Sequence, residues 1–199
     1  MAGPIEMDTP TISTSWHPGN VLPLGPLSDA VRDAIKVALT PEQAVALTMR
    51  GEARARFDNG RWVANPLDAM IDIASVIDNR ANDPRWRGLG PKGVCLQHRQ
   101  FSCWDTLGGA DNHWALMRDA QRLIAGTIGV PQGLTDCVAV ATGMLDNGVA
   151  NSLGDGVCHY YASWLTPPPA WAFQDPPNQH LLRTPVVSRF GHLFFAGVR

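Results

Sequence analysis

Apolar positions recur with helical spacing through the first three quarters of the chain. Val31, Ile35 and Leu39 fall at i, i+4 and i+8 and predict a short helix over 28–39. A second helix starts at Thr40, a good N-cap, with Pro41 suited to the first turn and Gln43 at the capping-box position. Its run Ala44, Val45, Ala46, Leu47 and Met49 reads as mostly buried, and Glu52 stands at its C-terminal end beside Gly51. A turn over Asp58-Asn59-Gly60 follows. The next helix begins after Asn65-Pro66, has Asp68 in its first turn and buries Met70, Ile73, Ala74 and Ile77. It ends near Asn79-Arg80. Residues 84–110 are rich in glycine and predict loops. Two more helices run over about 111–125, with Trp114, Met117, Ala120 and Ile124 on one face, and about 135–146, with Leu134, Val138, Ala141 and Leu145.

The pattern breaks at both ends. Pro4, Pro10, Pro18, Pro23 and Pro26 exclude a helix, so residues 1–27 read as a Pro-rich arm and 28–199 as a single domain. Near the C-terminus Val186-Val187 and Leu193-Phe194-Phe195 flank Arg189-Phe190-Gly191, which predicts a short hairpin. The coarse reading is mainly α with a small β element.

Composition narrows the function. Charged residues are 17% of the 199, below the roughly 25% of ordinary soluble proteins, and the net charge is −2. No basic field exists to grip nucleic acid. No apolar run approaches the roughly 18 residues of a membrane span, so no stable membrane insertion is expected. Met1–Pro10 has neither the basic nor the apolar segment of a secretory signal, which predicts synthesis in the cytoplasm. Cys95, Cys103, Cys137 and Cys158 fit reduced, buried thiols, although four cysteines also permit two disulfides. Cys95, His98 and Cys103 do not match zinc-ligand spacing, so neither metal nor cofactor is expected.

Only three glutamates occur. Glu6 lies in the arm, and Glu42 suits the N-terminal dipole of its helix. Glu52 ends an apolar helix between Gly51 and Ala53, whose small side chains leave room for a ligand, and partial desolvation there suits a general acid. The plainer alternative is a salt bridge to Arg50, Arg54 or Arg56. Two aromatic clusters offer flat faces with polar edges for a sugar: Gln100-Phe101-Ser102-Cys103-Trp104 and His159-Tyr160-Tyr161. Either could equally be a core plug.

Taken in order, the motifs are Gly51-Glu52-Ala53-Arg54, Asn79-Arg80, Gln100-Phe101-Ser102, His159-Tyr160-Tyr161, Pro169-Ala170-Trp171-Ala172 and Gly191-His192 with Phe194-Phe195. The series resembles the catalytic domain of the spore-cortex-lytic (SleB-type) cell-wall hydrolases, which occur also in proteobacteria and phages. The resemblance covers roughly residues 42–197. It implies a lysozyme-like, lytic-transglycosylase-like α+β domain acting on peptidoglycan glycan strands, with Glu52 as the catalytic acid. Gln100, Phe101, Ser102, His159, Tyr160 and Tyr161 are expected to line one substrate cleft with it. The chain departs from the family at Gly154–Cys158 and in a longer stretch around Asn82–Gln97.

The resemblance further implies cleavage between N-acetylmuramic acid and N-acetylglucosamine to a 1,6-anhydro product, with one carboxyl in place of the usual two. Asp58, Asp72, Asp105 and Asp155 are conceivable second carboxylates, which would make a muramidase-type hydrolase instead. Two further functions stay open: a murein amidase or peptidase, and a non-catalytic virion murein-binding protein. With murein outside the membrane and no export signal, the reading is a phage-type endolysin released by a holin, or else a protein carried within a virion.

Overall fold

The computed structural model describes residues 27–53, 57–58, 61–62, 67–105, 110–126, 132–147 and 151–198. All but the last residue of the predicted arm, and the turn at Asn59-Gly60, lie outside them. The described elements are α1 (Asp29–Ala38), α2 (Pro41–Glu52), β1 (Phe57–Asp58), β2 (Arg61–Trp62), α3 (Leu67–Asn82), α4 (Gly90–Leu96), α5 (Ala110–Ala125), α6 (Gln132–Asn147), β3 (Val157–Ala162), β4 (Val187–Arg189) and β5 (His192–Ala196). The fold is α+β and mainly α, with a small antiparallel sheet near the C-terminus, as expected of a lysozyme-like domain.

Helix α2 is the axle. Its capping box is formed: the Gln43 N–H donates to Thr40 Oγ1 at 3.2 Å, and the Thr40 N–H to Gln43 Oε1 at 2.9 Å. From Ala44 to Met49 every residue is buried, and so is Gly51. A helix buried on all sides needs partners all round, and α2 packs against α3, α4, α5 and α6. The polar Thr48 is satisfied there: its hydroxyl donates to the Ala44 carbonyl at 2.8 Å and accepts from Trp104 Nε1 at 2.8 Å.

The predicted helices all form, with ends shifted by a few residues. On α6 the buried face is Leu134, Cys137, Ala141 and Met144, rotated slightly from the expected one. The Trp114 side chain lies outside the described residues. Beside the short strands β1 and β2, two elements go beyond the expectation. Gly90-Pro91 reads as loop, yet proline is tolerated in a first helical turn; α4 starts there and buries Val94 and Cys95. The other is β3.

The three-stranded sheet has the order β3-β5-β4, all antiparallel. The predicted hairpin is β4–β5, and Phe190 (φ +51°) and Gly191 (φ +75°) make its turn, as two-residue hairpin loops require. Tyr160 pairs with Phe194, and Ala162 with His192. On β4, Val187 pairs with Phe194 and Arg189 with His192. Side chains alternate between faces. The face carrying Tyr160 and Phe194 closes onto the helical core. The other face carries Tyr161 and Phe195, which form a second, smaller core with Trp171, Ala172, Leu193 and Val198. An ion pair pins the sheet to α3: Arg189 is bound through two nitrogens to Asp72, which is 1% exposed and also accepts from the Ser152 hydroxyl at 2.6 Å.

Candidate active site

Glu52 is the last residue of α2, and its half-buried carboxyl is held from both sides. Oε1 accepts from the Cys103 backbone N–H at 2.7 Å and from the Ser102 hydroxyl at 3.1 Å. Oε2 accepts from the Tyr160 hydroxyl at 2.8 Å. Three elements distant in sequence therefore meet at one carboxyl: α2, the short turn Ser102–Trp104 and strand β3. The salt bridge to Arg50 does not form, because Arg50 turns to Asp119, 3.8 Å away. Arg54 and Arg56 lie outside the described residues.

Gly51 has a different use from the one expected. A Cβ there would come within 2.4 Å of Cys103 Cβ and 2.8 Å of its Sγ. The missing side chain makes room for Cys103, not for a ligand. That close approach is what carries the Cys103 N–H to the carboxyl.

Arg80, on α3, ties the two partner segments together. It is 5% exposed, donates through Nε to the Cys158 carbonyl at 2.7 Å, and through a terminal nitrogen to the Gln100 carbonyl at 2.9 Å. Its guanidinium lies over the Phe101 ring at 4.6 Å and the Trp86 ring at 5.7 Å. Burial pulls its pKa down, opposed by Tyr160, Cys158 and Glu52. Asn79, its neighbour, donates to the carbonyls of Gly154 (3.0 Å) and Val157 (3.1 Å) and fixes the entry to β3. In the sequence both residues read as a helix ending and as one motif of the resembling series, and neither reading gives them the task of supporting the site.

The six expected cleft residues divide. Ser102 and Tyr160 bind Glu52 directly. Phe101 is 1% exposed under Arg80, so it is a core residue and not a stacking floor. Gln100 contributes its backbone carbonyl to Arg80. His159 and Tyr161 lie on the opposite face of β3 from Tyr160, because neighbours on a strand alternate. Tyr161 stacks on Phe195 at 5.6 Å, and His159 sits beside Trp171 at 5.2 Å. A single cleft holding all six with Glu52 is therefore not what forms. Sequence reasoning misses His192 as a neighbour of Tyr160: its ring meets that phenol edge-on at 5.3 Å.

Burial raises the Tyr160 pKa well above its usual value, and the negative charge of Glu52 adds to the shift, so the phenol keeps its proton and remains a donor. Burial lowers the His192 pKa, against the pull of Glu52. All four cysteines are buried and none is joined in a disulfide, and burial pushes Cys95 and Cys137 up to about 12. Among the described residues no group of three or more His, Cys, Asp or Glu side chains is placed to hold a metal ion.

Other carboxylates are engaged elsewhere. Asp72 is bound by Arg189, Asp105 lies 3.3 Å from His98 Nδ1, and Asp155 accepts from Asn151. The side chain of Asp58 lies outside the described residues. Among the described residues no helix is long and apolar enough to cross a membrane.

A family model described as cell wall hydrolase matches residues 64–185, which is well over half of the chain. The matched stretch contains Arg80, Ser102, Cys103 and Tyr160; Glu52 precedes it. Searches of curated proteins and of solved structures return no match.

Proposed function

The chain belongs to the cell wall hydrolase family, and we propose that it degrades peptidoglycan as a lytic transglycosylase, with Glu52 as its one acid and base. The observation that carries this reading is the carboxyl held by Ser102, Cys103 and Tyr160. A general acid must be aimed to within hydrogen-bond reach of the leaving oxygen, and three donors from two segments fix its direction.

The two oxygens are not equivalent. A backbone N–H can only donate, so Oε1 is committed as an acceptor. The transferable proton therefore resides on Oε2, beside a phenol that can rotate. In the first step Oε2 gives its proton to the oxygen linking N-acetylmuramic acid to N-acetylglucosamine. The bond from that oxygen to the muramoyl anomeric carbon breaks, and the N-acetylglucosamine end leaves as an alcohol. The acetamido oxygen of the same muramoyl residue stabilises the cationic carbon. In the second step the muramoyl 6-hydroxyl attacks that carbon and its proton returns to Glu52. The 1,6-anhydro ring closes, no water is consumed and the acid is regenerated. The engagement of Asp72 and Asp105 by other partners supports a single-carboxyl scheme over the two-carboxylate hydrolases.

We read the protein as a phage-type endolysin that reaches the murein through a holin lesion. Expressed in a bacterial cytoplasm, it should be tolerated until the membrane is permeabilised, and lysis should then be prompt. Copurification with intact particles would indicate virion carriage instead.

Mass spectrometry of digested sacculi tests the chemistry. Anhydro-muropeptides from the native protein, absent with Glu52→Gln, are expected, since losing a general acid costs about 10²-fold or more. Reducing muramoyl ends would replace transglycosylation by hydrolysis. Released stem peptides would replace the glycosidic reading altogether.

A further inference from the structure

Trp164 follows β3 in a turn that is bonded on both sides. The Ser163 N–H donates to the Gly191 carbonyl at 2.8 Å, and the Leu165 N–H to the Ala162 carbonyl at 2.8 Å. The benzo half of the indole rests on Gly191: a Cβ there would lie 2.5 Å from Cζ3 and 3.4 Å from Cη2. One face of the ring is thus seated on bare backbone. Even so, the residue is 62% exposed. The indole is fixed in place while most of it stays in water, where each Å² of apolar surface costs about 25 cal/mol.

Its surroundings lead to the carboxyl. The indole is 6.1 Å from the His192 ring, tilted by 52°. His192 is 5.3 Å from Tyr160, edge-on, and Tyr160 binds Glu52 at 2.8 Å. His192 and Tyr160 share the helix-facing side of the sheet, through the pairs Ala162–His192 and Tyr160–Phe194. The contacts run unbroken from Glu52 through Tyr160 and His192 to the indole, which is the end of that series open to a polymer in solvent. A pyranose offers a flat patch of C–H groups ringed by hydroxyls, which suits a fixed flat apolar face at an aqueous rim.

We propose that Trp164 is a stacking subsite for a sugar ring of the same glycan strand that Glu52 cuts. The proposal rests on the functional reading above and deepens it: the site grips the glycan, and not only the stem peptide, at a distance from the bond broken.

The probe is glycan strands stripped of their stem peptides, with intact sacculi beside them. In the Glu52→Gln background, which binds without cutting, Trp164→Ala should weaken sedimentation with both by about 2- to 10-fold, the range for one lost aromatic face. Trp164→Phe should restore most of the binding. With Glu52 present, Trp164→Ala should raise KM more than it lowers kcat. Equal binding with and without the indole would overturn the proposal even if the native protein cuts murein. Weakening on sacculi but not on stripped strands would overturn it too, in favour of peptide recognition. If the native protein cuts nothing, the functional reading fails; indole-dependent binding to stripped strands would then still uphold the subsite, and indole-independent binding would still sink it.

Discussion

Cys103 occupies the space that a side chain on Gly51 would need, with only 2.4 Å between its Cβ and a Cβ built on that glycine. The contact joins the end of α2 to the turn that donates to Glu52. Gly51→Ala should therefore push that turn away. Overpacking of this kind costs about 1–3 kcal/mol, and the 2.7 Å bond from the Cys103 N–H should lengthen. The expected result is a lower thermal midpoint and a larger loss of murein cleavage than the midpoint explains. Adding Cys103→Gly, which removes the opposing Cβ, should recover part of both. A single Gly51→Ala variant as active as the native protein would show that the close approach does not matter.

Tyr160→Phe keeps the ring against His192 and Phe194 and deletes one hydrogen bond to Glu52. A hydrogen bond to a charged group contributes about 1.5–3 kcal/mol, so kcat should fall by roughly 10- to 100-fold with little change in melting. Unchanged turnover would remove the phenol from the machinery.

The helical frame is legible in the sequence because α2, α3, α5 and α6 carry long apolar periods and, at Thr40 and Gln43, a complete start signal. The site is legible only as separate strings. Periodicity cannot reveal that Arg80 reaches two carbonyls 20 and 78 residues away. Strand alternation is available in principle: with Val157–Ala162 read as a strand and not only as a motif, Tyr160 parts from His159 and Tyr161 at once. Gly51 stands out for its small size, but smallness says that something comes close and not what, so a ligand was expected where Cys103 packs.

The ion pair between Arg189 and Asp72 is asymmetric, with the carboxylate far more deeply buried than the guanidinium. Removing the cation leaves a buried charge behind. Arg189→Met should cost about 3–5 kcal/mol in urea unfolding, and Arg189→Met combined with Asp72→Leu much less than that. Additive losses in the double variant would contradict the account.

Burial, aided by Arg80 and Arg85, pushes His159 down to about 4. In the unfolded chain the imidazole titrates near its usual value of about 6.5. Between those two values the unfolded state holds a proton that the folded state refuses, so stability rises with pH across that window and is lost as the pH falls from about 6.5 to about 4. His192, lowered by burial, works in the same direction. Melting curves of His159→Gln should show a shallower dependence over that range. A slope as steep as the native one would assign the effect to other groups.

The placement of Glu52 and its partners has a consequence for how the protein is born. Chains leave the ribosome N-terminus first. The acid is made early, its first two donors about fifty residues later, and Tyr160 more than a hundred residues after it. The strand that seats Tyr160 pairs with β5, near the end of the described chain. Arg80, waiting on α3, has no Cys158 carbonyl to grasp until then. A nascent molecule therefore carries the Glu52 carboxyl before the groups that hold it exist, and the Tyr160 bond waits for the strand that pairs with β5.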